Sequence, residues 1–156
     1  MNKELLKDLI IGIIFLLAEL LIFQHLSIFG TTPDLLLIYL LWLAMKKDRF
    51  QLLILAAMLG FVQDALFDFW GLNMFSKTLV CLIAYNFIER NKEGRLLLWQ
   101  IFAITGLFAV LHNVCFLGLS NFVDTYSSGF QPAIFVIGSS LYTAIVGSML
   151  FIFKGS

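Results

Sequence analysis

The sequence predicts an all-α integral membrane protein with six transmembrane helices and with both termini in the cytoplasm. Three observations predict this fold class: the composition, six apolar runs, and the distribution of lysine and arginine between the runs. Of the 156 residues, 61% are hydrophobic and 13% are charged, and the mean hydropathy is +0.97. A soluble domain carries roughly 45–50% apolar and about 25% charged residues. Ten basic and ten acidic residues are too few to coat a soluble globule of this length.

The apolar runs place six helices in a single transmembrane domain, residues 1–156. Spanning the hydrocarbon core takes roughly 20 residues, so the second and fourth runs are short. The second run can span the hydrocarbon core only if its helix includes Lys46 and Lys47, whose side chains can extend toward the headgroups. Re-entrant segments in place of the two short helices are the alternative. The predicted helices cover residues 9–29, 32–47, 50–68, 72–89, 96–119 and 132–153.

Basic residues set the orientation. We counted lysine and arginine in the N-terminal segment, the five loops between the apolar runs and the C-terminal segment. The numbers, in order, are two, zero, three, zero, three, zero and one, and these nine residues are all but one of the ten basic residues. Cytoplasmic loops collect positive charge, so this alternation places both termini inside. Trp42, Trp70 and Trp99 all fall at predicted helix boundaries, where indole rings favour the membrane interface. Lys77 alone departs from the alternation.

Several functional classes are excluded or disfavoured by what the chain carries. Zero net charge without a basic run excludes a nucleic-acid-binding surface. Cys81 and Cys115 lie inside apolar runs, where a thiol behaves as a small hydrophobic group. The sequence contains no nucleophile elbow, no zinc-protease motif and no phosphate-binding glycine loop. We therefore expect a protein that is not an enzyme and holds no metal or cofactor, with membrane lipid around it.

Ionisable side chains inside a bilayer are costly, so each one is a candidate for a structural or functional role. Asp64 and Asp68 share one face of the third helix with Ala56 and Gly60, because residues four apart stack along a helix. This face predicts a close helix contact whose outer end reaches headgroup water at Asp68. We expect Lys77, across the short outer turn, to form an ion pair with Asp68. A proton or cation path through these groups is the alternative.

Glu19 lies midway along the first helix. A carboxylate at that depth needs a partner, such as His112 or a neighbouring chain, and the sequence predicts a structural or partner-binding polar contact there. His112, with Asn113 beside it, is typical of a packed, hydrogen-bonded histidine, because no second histidine or cysteine lies at metal-ligand spacing.

Small residues recur along the last helix at four-residue steps. Such a row lets another helix approach closely, either within the same chain or in a second copy as a homodimer. The row consists of Ser139, Thr143 and Gly147, next to a second row of Ser140, Ala144 and Ser148.

A proline opens the short second helix, and a Gly-Phe pair followed by an aspartate marks the end of the third. In this combination the chain resembles the bacterial rod-shape-determining protein family MreD. The length, the six helices and the cytoplasmic termini are also similar to that family. Asp64 stands where the family usually has a second glycine, and the turn from Asp68 to Gly71 is shorter. The residues that carry the resemblance are Pro33, Asp34, Gly60, Phe61, Asp68 and Gly71, with the leucines that follow Asp34 and Gly71.

The resemblance implies a fold similar to the substrate-binding component of energy-coupling-factor vitamin transporters, used as a scaffold. It also implies a place in the bacterial inner membrane and in the peptidoglycan elongation machinery. The partners implied are MreC and, through it, the glycosyltransferase RodA, a class B penicillin-binding transpeptidase and MreB filaments.

Two other functions remain open from the residues alone. A small-molecule or vitamin-uptake subunit would need a polar cavity around His112, Asn113 and Asp124 that opens to the outside. An ion-coupled carrier would use Glu19 and Asp64 as its titrating groups.

Overall fold

The described part of the chain is entirely helical apart from short connections. The structure is a computed structural model that describes residues 3–23, 25–27, 30–90, 97–122 and 132–154. Over these ranges, both the predicted all-α class and the count of six helices are confirmed. The helices are α1 (Lys3–Ala18), continued by a π-helical turn (Glu19–Phe23), α2 (Leu35–Ala44), α3 (Arg49–Phe67), α4 (Leu72–Arg90), α5 (Leu98–Phe122) and α6 (Pro132–Lys154).

Three helices are long and apolar enough to cross a membrane within the described residues: Arg49–Phe67, Leu98–Phe122 and Pro132–Ile152. Helix α2 is different, because its ten residues extend only about 15 Å at 1.5 Å per residue. That is half of the roughly 30 Å hydrocarbon core. Residues 31–34 precede α2 without forming helix. Of the predicted second helix, residues 32–34 are therefore non-helical backbone.

Helix α2 is the central element of the bundle. Nine of its ten residues are buried, and it contacts each of the other five helices. One apolar cluster joins α2 to α1 and α3, through residues such as Leu16, Leu40 and Leu55. A second joins α2 to α4 and α5, through residues such as Val80 and Phe108. Non-helical backbone at membrane depth requires shielding from lipid, and the helices packed around α2 provide it.

The helices alternate in direction. Lys47, just after α2, forms ion pairs with Asp8 (2.8 Å) and Glu4 (3.4 Å) near the start of α1. The hydrogen bond to Asp8 raises the pKa of Lys47, so its ammonium stays charged through neutral pH. We call this side of the bundle the Lys47 end. At the opposite side of the bundle, α1, α3 and α5 end and α2, α4 and α6 begin. We call this side the cavity end, because the cavity described below lies there.

Helices α3 and α4 approach most closely at Gly60. A Cβ atom added there would lie 2.6 Å from the Cα atom of Met74, well inside the distance that real Cβ atoms keep. Ala56, one turn earlier, is fully buried. Small residues at four-residue spacing thus lie where backbone packs against backbone, as in many membrane helix pairs.

We expect Gly60→Ala to destabilise the protein by about 1–3 kcal/mol, since α3 and α4 must move apart to admit a methyl group. Gly118 in α5 is the matched control, because a Cβ there would meet nothing within 4 Å. Gly118→Ala should be neutral or stabilising by up to about 1 kcal/mol, as alanine favours helix. Thermal unfolding in detergent micelles measures both. Equal melting temperatures for the two variants would contradict the close contact.

Candidate functional site

The non-helical segment before α2 is held by hydrogen bonds to α6. The hydroxyl of Ser139 donates to the carbonyl oxygen of Thr32 (3.0 Å), and the hydroxyl oxygen of Thr143 accepts from the backbone N–H of Asp34 (3.0 Å). Asp34 is the N-cap of α2, and its Oδ1 accepts from the N–H of Leu37 (2.7 Å). Aspartate is a preferred N-cap because it satisfies a backbone donor that the helix itself leaves unpaired. The chain can therefore start a helix inside the bundle.

The other oxygen of Asp34 binds a lysine and a histidine. Its Oδ2 accepts from the Nζ of Lys77 and lies 3.2 Å from the Nε2 of His112. The Nζ of Lys77 lies 3.3 Å from the same histidine nitrogen, and Lys77 is completely buried. We call Asp34, Lys77 and His112 the Asp34 cluster; it joins α2, α4 and α5. A buried charge is tolerated only when it is paired and hydrogen-bonded, and here both ions are.

Glu19 is a second carboxylate at the start of α2. It lies in the π-helical turn that ends the first helix, a local form often found at functional sites. Its Oε2 accepts from the backbone N–H of Leu36 (3.2 Å), and its Oε1 accepts from the side-chain amide of Gln63 (3.1 Å). The positive end of the α2 dipole favours negative charge at this position. Of the two partners considered for Glu19, His112 and a neighbouring chain, His112 bonds to Asp34 instead.

Asp64 and Asp68 lie in different surroundings although they are one turn apart. Asp64 is buried, and its two oxygens accept the backbone N–H groups of Asn73 (2.9 Å) and Met74 (2.8 Å) at the start of α4. Asp68 is the exposed C-cap of α3 in the left-handed conformation (φ 58°), followed by Gly71, also at positive φ (83°). Asp64 therefore holds the α3–α4 turn from inside.

The predicted ion pair between Lys77 and Asp68 is wrong. Lys77 lies in the second turn of α4 on the side that faces α2 and α5, so its side chain points into the bundle toward Asp34. Asp68 stands at the solvent-exposed end of α3. The sequence distance across the turn is short, but Lys77 is buried in the bundle whereas Asp68 is exposed.

The remaining candidate residues divide between the interior and the outer surface. The side-chain amide of Asn113 donates to the hydroxyl of Ser140 (3.0 Å), linking α5 to α6. A Cβ on Gly147 would lie 2.9 Å from the Cγ2 atom of Thr105 in α5. The small-residue rows of α6 thus pack against the chain's own α5 and α2. Phe61 is exposed on the outside of α3.

A cavity of about 380 Å³ lies beside the Asp34 cluster at the cavity end of the bundle. It occupies the place that the small-molecule hypothesis requires, since His112 and Asn113 line it; Asp124, the third residue of that hypothesis, lies outside the described residues. Pro33, Thr32 and Ser139 also contribute to the lining. Its charged and larger polar lining residues are Glu19, Asp34, Gln63, Asn73, His112, Asn113 and Asn121. Its aromatic lining residues are Phe67, Phe69, Phe116 and Phe135.

Comparison with known proteins identifies the family. A sequence profile described as rod shape-determining protein MreD matches residues 3–154, nearly the whole chain. The chain belongs to the MreD family. The resemblance carried by Pro33, Asp34, Gly60 and their neighbours is therefore confirmed, and the MreD family assigns the chain to the membrane proteins that determine rod shape. No curated protein and no solved structure matches this MreD family member.

Sequence reasoning missed two contacts of this MreD family member. The first is the Asp34 cluster, because Asp34 lies 43 positions from Lys77 while other acids are much nearer along the chain. The second is Gln63, a polar residue inside an apolar run that bonds to Glu19. One signal could have found the cluster: Asp34 precedes a helix too short to span, so it had to lie at membrane depth and needed a cation there. Within the described residues, no group of three histidine, cysteine or acidic side chains is placed to hold a metal ion.

We expect Asp34→Asn to destabilise the protein by about 3–5 kcal/mol, because it leaves the buried ammonium of Lys77 without its counter-charge. Asparagine can still cap α2, so the loss reports the charge rather than the cap. In thermal unfolding, the melting temperature should fall by roughly 10 °C.

Two further variants complete the experiment. Asp34→Asn combined with Lys77→Met should recover much of the lost stability, since no unpaired ion remains. Asp68→Asn, which removes an exposed acid at the same end, should change stability by less than about 0.5 kcal/mol. If Asp34→Asn melts like Asp68→Asn, the Asp34 cluster does not stabilise the fold.

Proposed function

We propose that this protein is a non-enzymatic membrane scaffold of the bacterial cell-elongation complex. In this role it binds MreC and, through MreC, is linked to RodA, a class B penicillin-binding protein and MreB. The observation that carries the proposal is the family match over residues 3–154, whose description names shape determination. The proposal places the protein in the inner membrane as a multi-pass chain, either alone or as a homodimer.

The hydrogen bonds of the buried acidic side chains support a scaffold role. Asp34, Glu19 and Asp64 each accept a backbone N–H at the start of α2 or α4. Acids used in this way fix helix positions and give a rigid body on which partners can assemble. An ion-coupled carrier would instead need Glu19 and Asp64 to exchange their partners during transport, which would release the starts of both helices.

Charge distribution supports cytoplasmic termini. In the described residues, the Lys47 end carries Lys3, Lys7, Lys46, Lys47, Arg49 and Arg90. Cytoplasmic ends of membrane helices collect lysine and arginine, so we place the Lys47 end inside and the cavity end outside. A six-helix bundle with a polar cavity at its outer end also supports the resemblance to the substrate-binding components of vitamin transporters.

A groove on α6 is the surface we propose for the single membrane span of MreC. It has a volume of about 430 Å³ and an almost wholly apolar lining that includes Ile137, Leu141 and Ile145. Gly138 lies at its side, where a Cβ would come 3.0 Å from the Cγ2 atom of Thr31. Helices associate in membranes by close packing of apolar side chains around small residues, and a concave face permits more of that contact than a convex one.

Depletion and co-purification test the scaffold. Loss of the protein should make rod-shaped cells round, and the full-length tagged protein, solubilised in mild detergent, should bring MreC with it. The expected result is a rounded morphology that a plasmid copy restores. Normal rods after depletion, together with no MreC in the purified material, would overturn the proposed function.

The groove has its own test. Ile137 is 59% exposed in the groove, and Ile137→Trp should reduce recovered MreC by about tenfold or more, since a bulky ring prevents helix contact. Val114 on α5 is 53% exposed and lies outside the groove lining, so Val114→Trp is the control and should retain MreC. Equal MreC recovery from both variants, at equal expression, would move the interface elsewhere.

A further inference from the structure

The cavity holds a buried hydrogen-bond acceptor that has no partner among the described residues. Gln63 is 4% exposed and lines the cavity. Its Nε2 donates a hydrogen bond to Glu19, and this bond fixes the orientation of the amide group. The amide oxygen, Oε1, accepts no hydrogen bond from the described residues. An unsatisfied buried acceptor costs roughly 1–3 kcal/mol, so a group that donates to it would bind favourably.

Among the described residues, no lysine or arginine forms an ion pair with Glu19, the carboxyl group next to this acceptor. The hydrogen bonds of Glu19 come from neutral groups, the backbone of Leu36 and the amide of Gln63. Lys77, the buried lysine nearest in the fold, is hydrogen-bonded to Asp34. No lysine or arginine appears among the described residues that line the cavity. A carboxylate away from water is costly as an anion until a positive charge reaches it, and the cavity gives such a charge a way in.

A second polar atom supports the same site. His112 is 4% exposed and lines the cavity, and its Nδ1 has no hydrogen-bond partner among the described residues. Its Nε2 is taken up by the Asp34 cluster. Because one ring nitrogen is engaged, the other is available for a bond to whatever enters the cavity.

The volume and the lining of the cavity limit which ligands can bind in it. A volume of about 380 Å³ falls within the range of small-ligand pockets and corresponds to on the order of a dozen liquid-water volumes. Phe67, Phe69, Phe116 and Phe135 line the cavity, and aromatic ring faces attract organic cations. Phe69 and Phe116 meet edge to face with their centroids 5.3 Å apart, so this wall is packed.

We propose that the cavity is a binding site for a primary amine, whose ammonium donates hydrogen bonds to Glu19 and to the Oε1 of Gln63. Its carbon skeleton lies against the phenylalanine walls. An anionic ligand would meet the carboxyl groups of Glu19 and Asp34, with no lysine or arginine among the described lining residues to pair with it, and a neutral ligand would bring no counter-charge to Glu19. The ammonium belongs either to a free small amine or to the headgroup of phosphatidylethanolamine, and the experiment separates these sources. This site is independent of MreC binding.

The first measurement uses the full chain in nanodiscs of phosphatidylcholine. 2-Phenylethylamine serves as the probe and 2-phenylethanol as its neutral counterpart, with binding followed by isothermal titration calorimetry and by the shift in melting temperature. We expect saturable binding of the amine at least about tenfold tighter than that of the alcohol, since hydrogen bonds to a charged group are the stronger kind.

Variants assign any binding to the cavity. Glu19→Gln keeps an acceptor for the N–H of Leu36 but removes the charge, and should weaken probe binding at least about tenfold. Leu117→Trp fills the cavity without touching its hydrogen bonds and should abolish binding, which keeps the test valid if the Glu19 variant fails to fold. Asp68→Asn removes an exposed acid outside the lining and should bind as the wild type does.

The second measurement addresses the lipid source. Native mass spectrometry of protein taken from nanodiscs that contain phosphatidylethanolamine and phosphatidylcholine should show retained phosphatidylethanolamine if the headgroup is the ligand. That retention should be lost in Leu117→Trp. Binding of the free probe without lipid retention assigns a soluble amine. If neither the probe nor the lipid binds, or if Glu19→Gln and Leu117→Trp bind both as well as wild type does, the proposal is overturned.

Discussion

The structure depends on a helix that starts in the interior of a membrane bundle. Helix α2 begins after its N-cap Asp34, inside the bundle rather than at its surface. One carboxylate meets the requirements of that start: Oδ1 caps the helix, while Oδ2 binds Lys77 and lies beside His112. The backbone N–H of the same residue bonds to Thr143. Four helices, α2, α4, α5 and α6, thus meet at one aspartate, and their mutual positions follow from it.

The fold class could be predicted because it rests on quantities that the sequence carries directly. Apolar runs and alternating lysine counts are properties of segments, and the bilayer acts on each segment almost independently. The same is true of Gly60, whose spacing from Ala56 and Asp64 predicts a packing face. The structure places that face against α4 and puts Asp64 on the backbone of its first turn.

The polar site was harder to predict because its contacts join residues far apart in the chain. Lys77 reaches Asp34, 43 positions earlier, and Glu19 reaches Gln63, 44 positions later. Proximity along the chain favoured Asp68 for Lys77, but the turn of α4 decides which way the side chain points. Helix periodicity gives the direction of a side chain within its own helix. It does not give the neighbour toward which that side chain points, and the cavity exists only between neighbours.

The shortness of α2 has a consequence for how the chain enters the membrane. A helix of about 15 Å is a poor independent span, and Asp34 at its start has no cation to meet while α1 and α2 are the only helices present. Lys77 and His112 arrive later, with α4 and α5. The polar contacts at Asp34 are therefore complete only when α4, α5 and α6 are all in place.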